Sequence, residues 1–174
     1  MEDLSYPIGK FKPEPELTDT KRRQLIDDIA AAPAALRNAV KGLSKEQLDT
    51  PYRPGGWTVR QVVHHLPDSH MNAYFRFKLA LTENEPTIKP YEQQLWAELP
   101  DARTADIEMS MNLLEGLHQR WVLMLRSMKA DDFHRKFIHP ESGANILDKI
   151  LQMYAWHGKH HVAHITSLRK RMGW

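Results

Sequence analysis

Cysteine is absent from the 174 residues of this sequence. Its absence excludes disulfides, thiolate metal ligands and cysteine nucleophiles, and with them zinc fingers, iron–sulfur clusters and thiol proteases. A bound metal ion would therefore have to be held by histidine, carboxylate or water. Histidine is well represented, with ten in the chain.

Long apolar runs are absent as well. The N-terminal segment MEDLSYPIGKFKPEPEL carries prolines and acids where a signal peptide needs an apolar stretch, and no later segment reaches the roughly 20 apolar residues of a membrane span. Net charge is only +2, and the basic cluster at residues 169–171 lies where cations favour a helix C-terminus. These features predict a cytoplasmic protein that binds neither nucleic acid nor a membrane.

The periodicity of the apolar residues is helical. No segment shows the sustained alternation of a β-strand, whereas four long segments repeat apolar residues in steps of three and four. These segments run from about Asp19 to Val40, from Val59 to near Thr82, from Ile107 to Met128 and from Leu147 to Met172. The sequence therefore predicts an all-α fold, a single-domain four-helix bundle over residues 1–174 with long proline-rich connections.

The connections carry signals of their own. The stretch LSKEQL has the spacing of a helix capping box, and so do Thr58 and Gln61 at the start of the second long segment. Residues 83–100 contain three prolines and are expected to form a long surface loop that covers one end of the bundle. The segment DDFHRKFIHPESGAN, with its glycine and proline, is a candidate for a short hairpin.

Four histidines lie within WHGKHHVAHI in the last helical segment. At about 100° per residue, His157 and His161 fall on the apolar side of the helix, whereas His160 and His164 turn toward solvent. A pair of imidazoles one turn apart on the same face suits a divalent metal ion. The alternative is that both rings hydrogen-bond to carbonyls or stack on neighbouring aromatic rings.

A third ligand is expected from the facing second helix, in VVHHLPDSHMN. The helical wheel places His70 near the centre of the apolar stripe and His64 and His65 on its two flanks, so periodicity leaves the choice open. Pro67 is expected to bend the helix here, because proline removes a backbone hydrogen bond. The remaining histidines stand alone and are left outside the predicted site: His118, His134 and His139.

Three stretches carry a family resemblance: LSYPIGKFKPE, RPGGWTVRQVVHHLPDSHMNAYFRFKL and YAWHGKHHVAHITSLRKRMGW. In this order they resemble the YfiT-like branch of the DinB-like metalloprotein superfamily over essentially the whole chain. The resemblance implies one divalent metal per chain, held by His65 from VVHHL and by His157 and His161 from HGKHH. Three neutral imidazoles suit zinc first and nickel as the alternative. Pro67 departs from the family pattern, which has a small residue at that position.

The resemblance also implies an activity. It points to a metal-dependent hydrolase that acts on a small molecule with a metal-bound water as the nucleophile. Other members of the superfamily transfer low-molecular-weight bacterial thiols, so a thiol S-transferase that binds its thiol at the metal is the alternative. A third hypothesis is a metal-stabilised, non-enzymatic bundle with a fourth protein ligand, such as His164 or His70. Asp68 and Tyr154 are the candidate general acid or base, because each lies a turn or less from a ligand.

Several apolar residues of the N-terminal arm and of residues 83–100 have no obvious place in a compact bundle. They are Tyr6, Ile8, Phe11, Ile88, Tyr91, Leu95 and Trp96. Left exposed, they would form an apolar patch of the kind that marks an interaction surface. Members of the YfiT-like branch pair, and this chain resembles them, so we expect a homodimer.

Overall fold

A computed structural model describes residues 3–174 of the chain. Its elements in chain order are α1 (Asp19–Val40), α2 (Lys45–Leu48), α3 (Val59–Thr82), α4 (Gln93–Ala97), α5 (Pro100–Thr104), α6 (Ile107–Ser127), a short 3₁₀ helix (Ala130–His134), β1 (Lys136–His139), β2 (Gly143–Ile146) and α7 (Leu147–Met172). The four long helices α1, α3, α6 and α7 form a bundle, which confirms the predicted fold. The two strands form the antiparallel hairpin expected before the last helix. Within the described residues, no helix has the length and apolarity needed to cross a membrane.

The capping residues set the helix starts. Thr58 Oγ1 accepts the backbone N–H of Gln61 at 3.1 Å, and the Gln61 side chain accepts the backbone N–H of Thr58 at 2.9 Å. Ser44 and Gln47 form the same reciprocal pair before α2. Each box satisfies N–H groups that the first turn of a helix leaves unpaired, so both predicted capping boxes are confirmed.

The segment over residues 83–100 differs from the expected loop, because it contains α4 and leads directly into α5. Pro100 stands at the start of α5, where its missing N–H costs nothing. The Gln61 side chain donates to the Ala97 carbonyl at 2.8 Å, and Trp57 Nε1 donates to Gln94 Oε1 at 3.1 Å. These two hydrogen bonds attach the segment to the start of α3.

The apolar interior consists of two clusters that occupy opposite halves of the bundle. One cluster surrounds Phe77 and Trp121, and the other surrounds Leu66 and Ile165. On each long helix, proline or histidine lies between the two clusters or at the edge of the second one: Pro33 on α1, His65 and His70 on α3, His118 on α6 and His157 to His164 on α7. We call these residues the histidine layer. Pro33 and Pro67 lie inside uninterrupted helices.

A buried ion pair ties α1 to α7 at the end of the bundle away from the second cluster. Arg22 Nε donates to Asp148 Oδ1 at 2.8 Å, and Arg22 Nη2 donates to Asp148 Oδ2 at 2.7 Å. Both side chains are almost fully buried. The parallel pair of hydrogen bonds fixes the two helices in register, because a guanidinium and a carboxylate match in only a few orientations.

Candidate metal centre

His65, His157 and His161 bring three ring nitrogens together in the histidine layer. His157 Nε2 lies 3.4 Å from His65 Nε2 and 3.2 Å from His161 Nε2. The nitrogen ligands of a tetrahedral zinc ion, at metal–nitrogen distances of about 2.0 to 2.1 Å, are about 3.3 to 3.4 Å apart. The two measured separations match this edge length closely. The residues present therefore fit a divalent metal ion. His157 and His161 are the pair that the helical periodicity selected, and His65 is the third ligand that the family resemblance implied.

Burial keeps these imidazoles in the form that can bind a metal. It lowers the pKa of His65 to about 4, and it holds the pKa values of His157 and His161 well below the ordinary value of 6.5. Neighbouring histidines add to the effect, because each would repel a second positive charge. A neutral imidazole offers a lone pair, which is the state that a metal requires.

A chain of hydrogen bonds runs from His157 back into the core. His157 Nδ1 lies 3.1 Å from His70 Nε2, His70 Nδ1 lies 2.9 Å from His118 Nε2, and His118 Nδ1 lies 2.7 Å from the Ile29 carbonyl. We call this chain the histidine relay. Its members His70 and His118 are 0% and 2% exposed. Both are neutral, because burial lowers the pKa of His118 to about 4 and holds that of His70 well below the ordinary value of 6.5.

The three hydrogen bonds of the histidine relay all point the same way, from His157 toward the Ile29 carbonyl. A carbonyl can only accept, so His118 Nδ1 must carry the proton, and a neutral His118 then accepts at Nε2. The same reasoning makes His70 Nδ1 and His157 Nδ1 the donors. His157 Nε2 is therefore left as a lone pair facing His65 and His161. Both ring nitrogens of His70 are occupied in this arrangement, so His70 supports a ligand and is not itself a fourth one.

Pro33 explains why the Ile29 carbonyl is available. In an α-helix the carbonyl of one residue accepts the N–H of the residue four positions later, and Pro33 has no N–H. The Ile29 carbonyl thus lacks its partner within α1, and His118 from α6 supplies the missing donor. A proline in the middle of a helix, costly in isolation, here provides the acceptor that orients the relay.

His160 and His164 do not turn toward solvent, so that prediction is wrong. They are 7% and 3% exposed. The N-terminal arm covers them, since His164 Nε2 donates to the Ser5 carbonyl at 3.1 Å and the Tyr6 ring lies 5.8 Å from the His160 ring. The helical wheel considered only the four long helices and had no means of placing the arm on the outer face of α7.

The candidate acid and base residues lie near the centre in sequence but do not line the cavity in front of it. Tyr154 is buried, with its hydroxyl 3.4 Å from Ser69 Oγ, and its ring lies against His157. Asp68 is half-buried, and burial together with the charge of Asp101 raises the pKa of Asp68 to about 6. Their catalytic role stays a prediction.

A cavity of about 460 Å³ lies directly in front of the three ligands. Another cavity of similar size, about 440 Å³, lies elsewhere in the bundle. Residues from the N-terminal arm, the turn before α3, α4 and α7 surround it. Its lining is Ser5, Tyr6, Tyr52, Arg53, Gly55, Gly56, Trp57, His65, Gln93, Gln94, Trp156, His157, His160, His161 and His164. Among residues 3–174, no carboxylate lines this cavity, which we call the histidine cavity.

Comparison with known proteins identifies the family. Residues 28–165 match the DinB superfamily. The chain belongs to the DinB superfamily. A Bacillus cereus (strain 03BB102) protein and a Bacillus thuringiensis subsp. konkukian protein are each 54% identical to this DinB-superfamily chain over 174 residues, covering all of both chains, and both are named "Putative metal-dependent hydrolase".

A solved structure is also similar to this DinB-superfamily protein. It is YfiT from Bacillus subtilis, which is 50% identical, has a TM-score of 0.96 and matches over 98% of each chain. Its description reads "a probable metal-dependent hydrolase with an unusual four-helix bundle topology". The resemblance stated from the sequence motifs is confirmed.

Sequence reasoning missed the relay in this DinB-superfamily protein, because it assigned His118 an isolated structural role. A signal was present. His118 stands on the apolar stripe of α6 and His70 at the centre of the stripe of α3, and a histidine in such a position needs a partner for each ring nitrogen. Two such histidines at the same level of a bundle, with Pro33 on a third helix, indicate a hydrogen-bonded chain.

Proposed function

We propose that this DinB-superfamily protein is a metal-dependent hydrolase of a small-molecule substrate, with one divalent ion held by His65, His157 and His161. The observation that carries the proposal is the set of three neutral histidines beside the histidine cavity, whose ligand atoms lie within 4.8 Å of one another, with His157 Nε2 at 3.4 and 3.2 Å from the other two. When bound, such an ion keeps an open position and lowers the pKa of a water molecule there toward 7. Zinc fits this all-nitrogen donor set first, and nickel is the alternative.

The residues around the ligands orient them and limit solvent. His70 accepts the Nδ1 proton of His157, which fixes the ring so that Nε2 faces the cavity. Trp57 packs on His65 with ring centroids 4.7 Å apart. Gln94, through its hydrogen bond to Trp57, holds α4 over this end of the cavity. Substrate would enter between α4 and the N-terminal arm.

The lack of a carboxylate in the histidine cavity favours a second candidate function, a thiol S-transferase. Hydrolysis requires water to lose a proton, and metalloproteases supply a glutamate for this step. A thiol, with an ordinary pKa near 8.5, ionises more readily and needs less help from a base. No glutamate or aspartate of residues 3–174 lines the cavity to act as this base. A low-molecular-weight thiol is therefore the second substrate class that we consider.

One set of assays separates the two functions. Zinc-loaded protein is incubated with activated esters, activated amides and alkylating electrophiles, each with and without a low-molecular-weight thiol. Turnover of an ester or amide without thiol supports the hydrolase. Turnover confined to reactions that contain both thiol and electrophile rejects the hydrolase and supports the transferase.

Two variants show that any activity belongs to the centre. His157→Ala removes a ligand and should abolish turnover. His64→Ala is the matched control, because His64 is a buried histidine on α3 whose ring nitrogens contact Ser110 and the Ala105 carbonyl, away from the three ligands.

Asp68→Asn and Tyr154→Phe test the predicted acid and base. If both keep full activity and the pH profile is unchanged, that part of the proposal is wrong.

A further inference from the structure

The histidine cavity is lined by positive charge and by no negative charge of the described residues. Three neutral imidazoles leave the two positive charges of a bound divalent ion uncompensated. No carboxylate of residues 3–174 lines the cavity, whereas Arg53 does. A concave site lined by charge of one sign concentrates ions of the opposite sign, because field lines are focused into the opening. The cavity therefore suits a substrate with more than one negative group or partial charge.

Arg53 is held in place by neutral groups. Its Nε donates to Tyr52 Oη at 3.1 Å, and its Nη1 donates to the Pro54 carbonyl at 3.1 Å. The guanidinium carbon lies 5.4 Å from the centre of the Tyr52 ring. Gly56 closes the turn beneath the side chain, and a Cβ at this position would lie 2.7 Å from Arg53 Cγ. The turn RPGG thus presents a fixed guanidinium whose positive charge meets only uncharged acceptors in these contacts.

Ring contacts connect this guanidinium to the metal ligands. The Tyr52 ring stacks on the His164 ring with centroids 4.0 Å apart and an interplanar angle of 19°. The His164 ring in turn lies 5.3 Å from that of His161, a predicted ligand. Arg53 is therefore separated from the centre by one tyrosine and one histidine, along one wall of a single cavity. A small molecule bound at the ligands has Arg53 within the same cavity.

We propose that Arg53 binds a carboxylate group of the substrate while the reacting group of the same molecule lies at the three histidine ligands. A guanidinium matches the planar carboxylate, and its single positive charge balances a single negative one. A phosphate group, with close to two negative charges, would call for further donors. The inference rests on the proposed function, because it requires an open metal position, and it adds the substrate class: a small molecule with a carboxylate remote from its reacting ester, amide or thiol group.

The test measures binding and needs no turnover. Cobalt(II) replaces the native ion, and a thiol that binds at the open position produces a sulfur-to-cobalt charge-transfer absorption. The probes are 6-mercaptohexanoate and its neutral counterpart 6-mercapto-1-hexanol, which share the thiol and the chain length and carry their second group well away from the sulfur. We expect the carboxylate probe to bind about tenfold more tightly, the size of one charge-assisted hydrogen-bonded contact.

Variants assign this preference to Arg53. Arg53→Met should lose most of the preference, and Arg53→Lys should keep a larger part of it. Arg126→Met is the matched control, because it removes the same charge from an exposed side chain that pairs with Asp27 outside the cavity. It should retain the full preference. Helical circular dichroism and cobalt content confirm that each variant is folded and loaded.

Two results would overturn the inference in distinguishable ways. If the preference for 6-mercaptohexanoate is missing, or survives unchanged in Arg53→Met, the carboxylate binds elsewhere and the role of Arg53 is wrong, while the metal centre stands. If neither probe changes the spectrum of fully cobalt-loaded protein, the centre has no open position. That result rejects the proposed function and the inference with it.

Discussion

Pro33 lies four residues after Ile29, and the carbonyl of Ile29 accepts a hydrogen bond from His118 on another helix at 2.7 Å. The proline removes the donor that this carbonyl would have had within α1, and the imidazole takes its place. Because a carbonyl cannot donate, this one contact sets the tautomer of every histidine in the relay. The orientation of His157 at the candidate metal centre thus depends on a proline in a helix that holds none of its ligands.

The first prediction concerns metal stoichiometry. Purified protein should contain about one divalent ion per chain, and His65→Ala, His157→Ala or His161→Ala should each lose most of it, because a three-nitrogen site has no spare ligand. His160→Ala is the matched control from the same helix and should keep its metal. Elemental analysis of the five proteins decides the matter. Normal metal content in His161→Ala together with loss in His160→Ala would show that the wrong histidines have been chosen.

The second prediction concerns the relay. His118→Leu should weaken zinc binding by about tenfold, because His118 orients His70, the outer partner of the ligand His157, and loss of such outer support costs about 10-fold. His118→Gln should restore most of the affinity, since its amide can donate to the Ile29 carbonyl and accept from His70. Chelator competition measures the affinity, and ¹⁵N NMR of the imidazoles reports the tautomers. Equal affinities in wild type, His118→Leu and the His64→Leu control would rule out a role for the relay.

The third prediction is a pH dependence of the metal-free protein. Burial lowers the pKa of His118 to about 4 in the folded state, against about 6.5 in the unfolded chain. Between these values the unfolded chain binds a proton that the folded protein does not, so acidification favours unfolding. The contribution of His118 to the free energy of unfolding is complete above pH 6.5. It should fall by about 1.4 kcal/mol per pH unit as the pH drops from 6.5 toward 4.

Chemical denaturation at several pH values measures this slope. His118→Gln carries no titratable group at the position, so its stability should fall less steeply over the same range by about one proton. An identical slope in wild type and His118→Gln would mean that His118 has its ordinary pKa in the folded protein.

The fourth prediction concerns the buried ion pair. Asp148→Asn should lower the free energy of unfolding by about 3 kcal/mol, because it leaves the Arg22 charge buried without its main partner. Asp27→Asn breaks the exposed pair with Arg126, whose side chains are 60% and 59% accessible, and should cost less than about 1 kcal/mol. Urea denaturation at neutral pH compares them. Similar losses in the two variants would contradict the assignment of the buried pair as a stability determinant.

The fifth prediction is self-association. Part of the apolar set that suggested a homodimer is used within the chain, since Ile88 is buried and Phe11 packs on Trp156. Leu95 and Trp96 on α4 remain exposed. We expect a dimer in light scattering at micromolar concentration and a monomer for Leu95→Glu. Leu123→Glu alters an equally exposed leucine on α6 and should stay dimeric. A monomeric wild-type protein would end this proposal.

The sequence was sufficient for features set by local chemistry. Capping residues located the start of α3, and the apolar repeat located the pair His157 and His161, because both depend on spacing within one helix. It was insufficient for His65, which the wheel did not prefer over His70 and which came from the family resemblance. The two differ in the nitrogen of His157 that they approach. His65 lies beside Nε2, the atom that faces the other ligands, whereas His70 binds Nδ1 on the opposite side of the ring.

The same reason explains the remaining errors. His160 and His164 were assigned to solvent because an irregular arm has no period that would place it on a helix face. The segment over residues 83–100 was expected to form a long surface loop, but α4 lies between Pro90 and Pro100, and Pro100 begins α5, where a proline is compatible with a helix. In each case a contact between segments far apart in sequence decided the outcome.

The end of the relay at a carbonyl has a consequence for proton traffic. Each N–H of His118, His70 and His157 along the chain already has its acceptor, and the Ile29 carbonyl has no proton to exchange. The core side of the centre is therefore a closed end for protons. A proton released by a substrate or by water in the histidine cavity has to leave through the cavity mouth. Small buffers that can enter this opening are expected to accelerate any reaction limited by proton release, whereas bulky buffers of the same pKa are not.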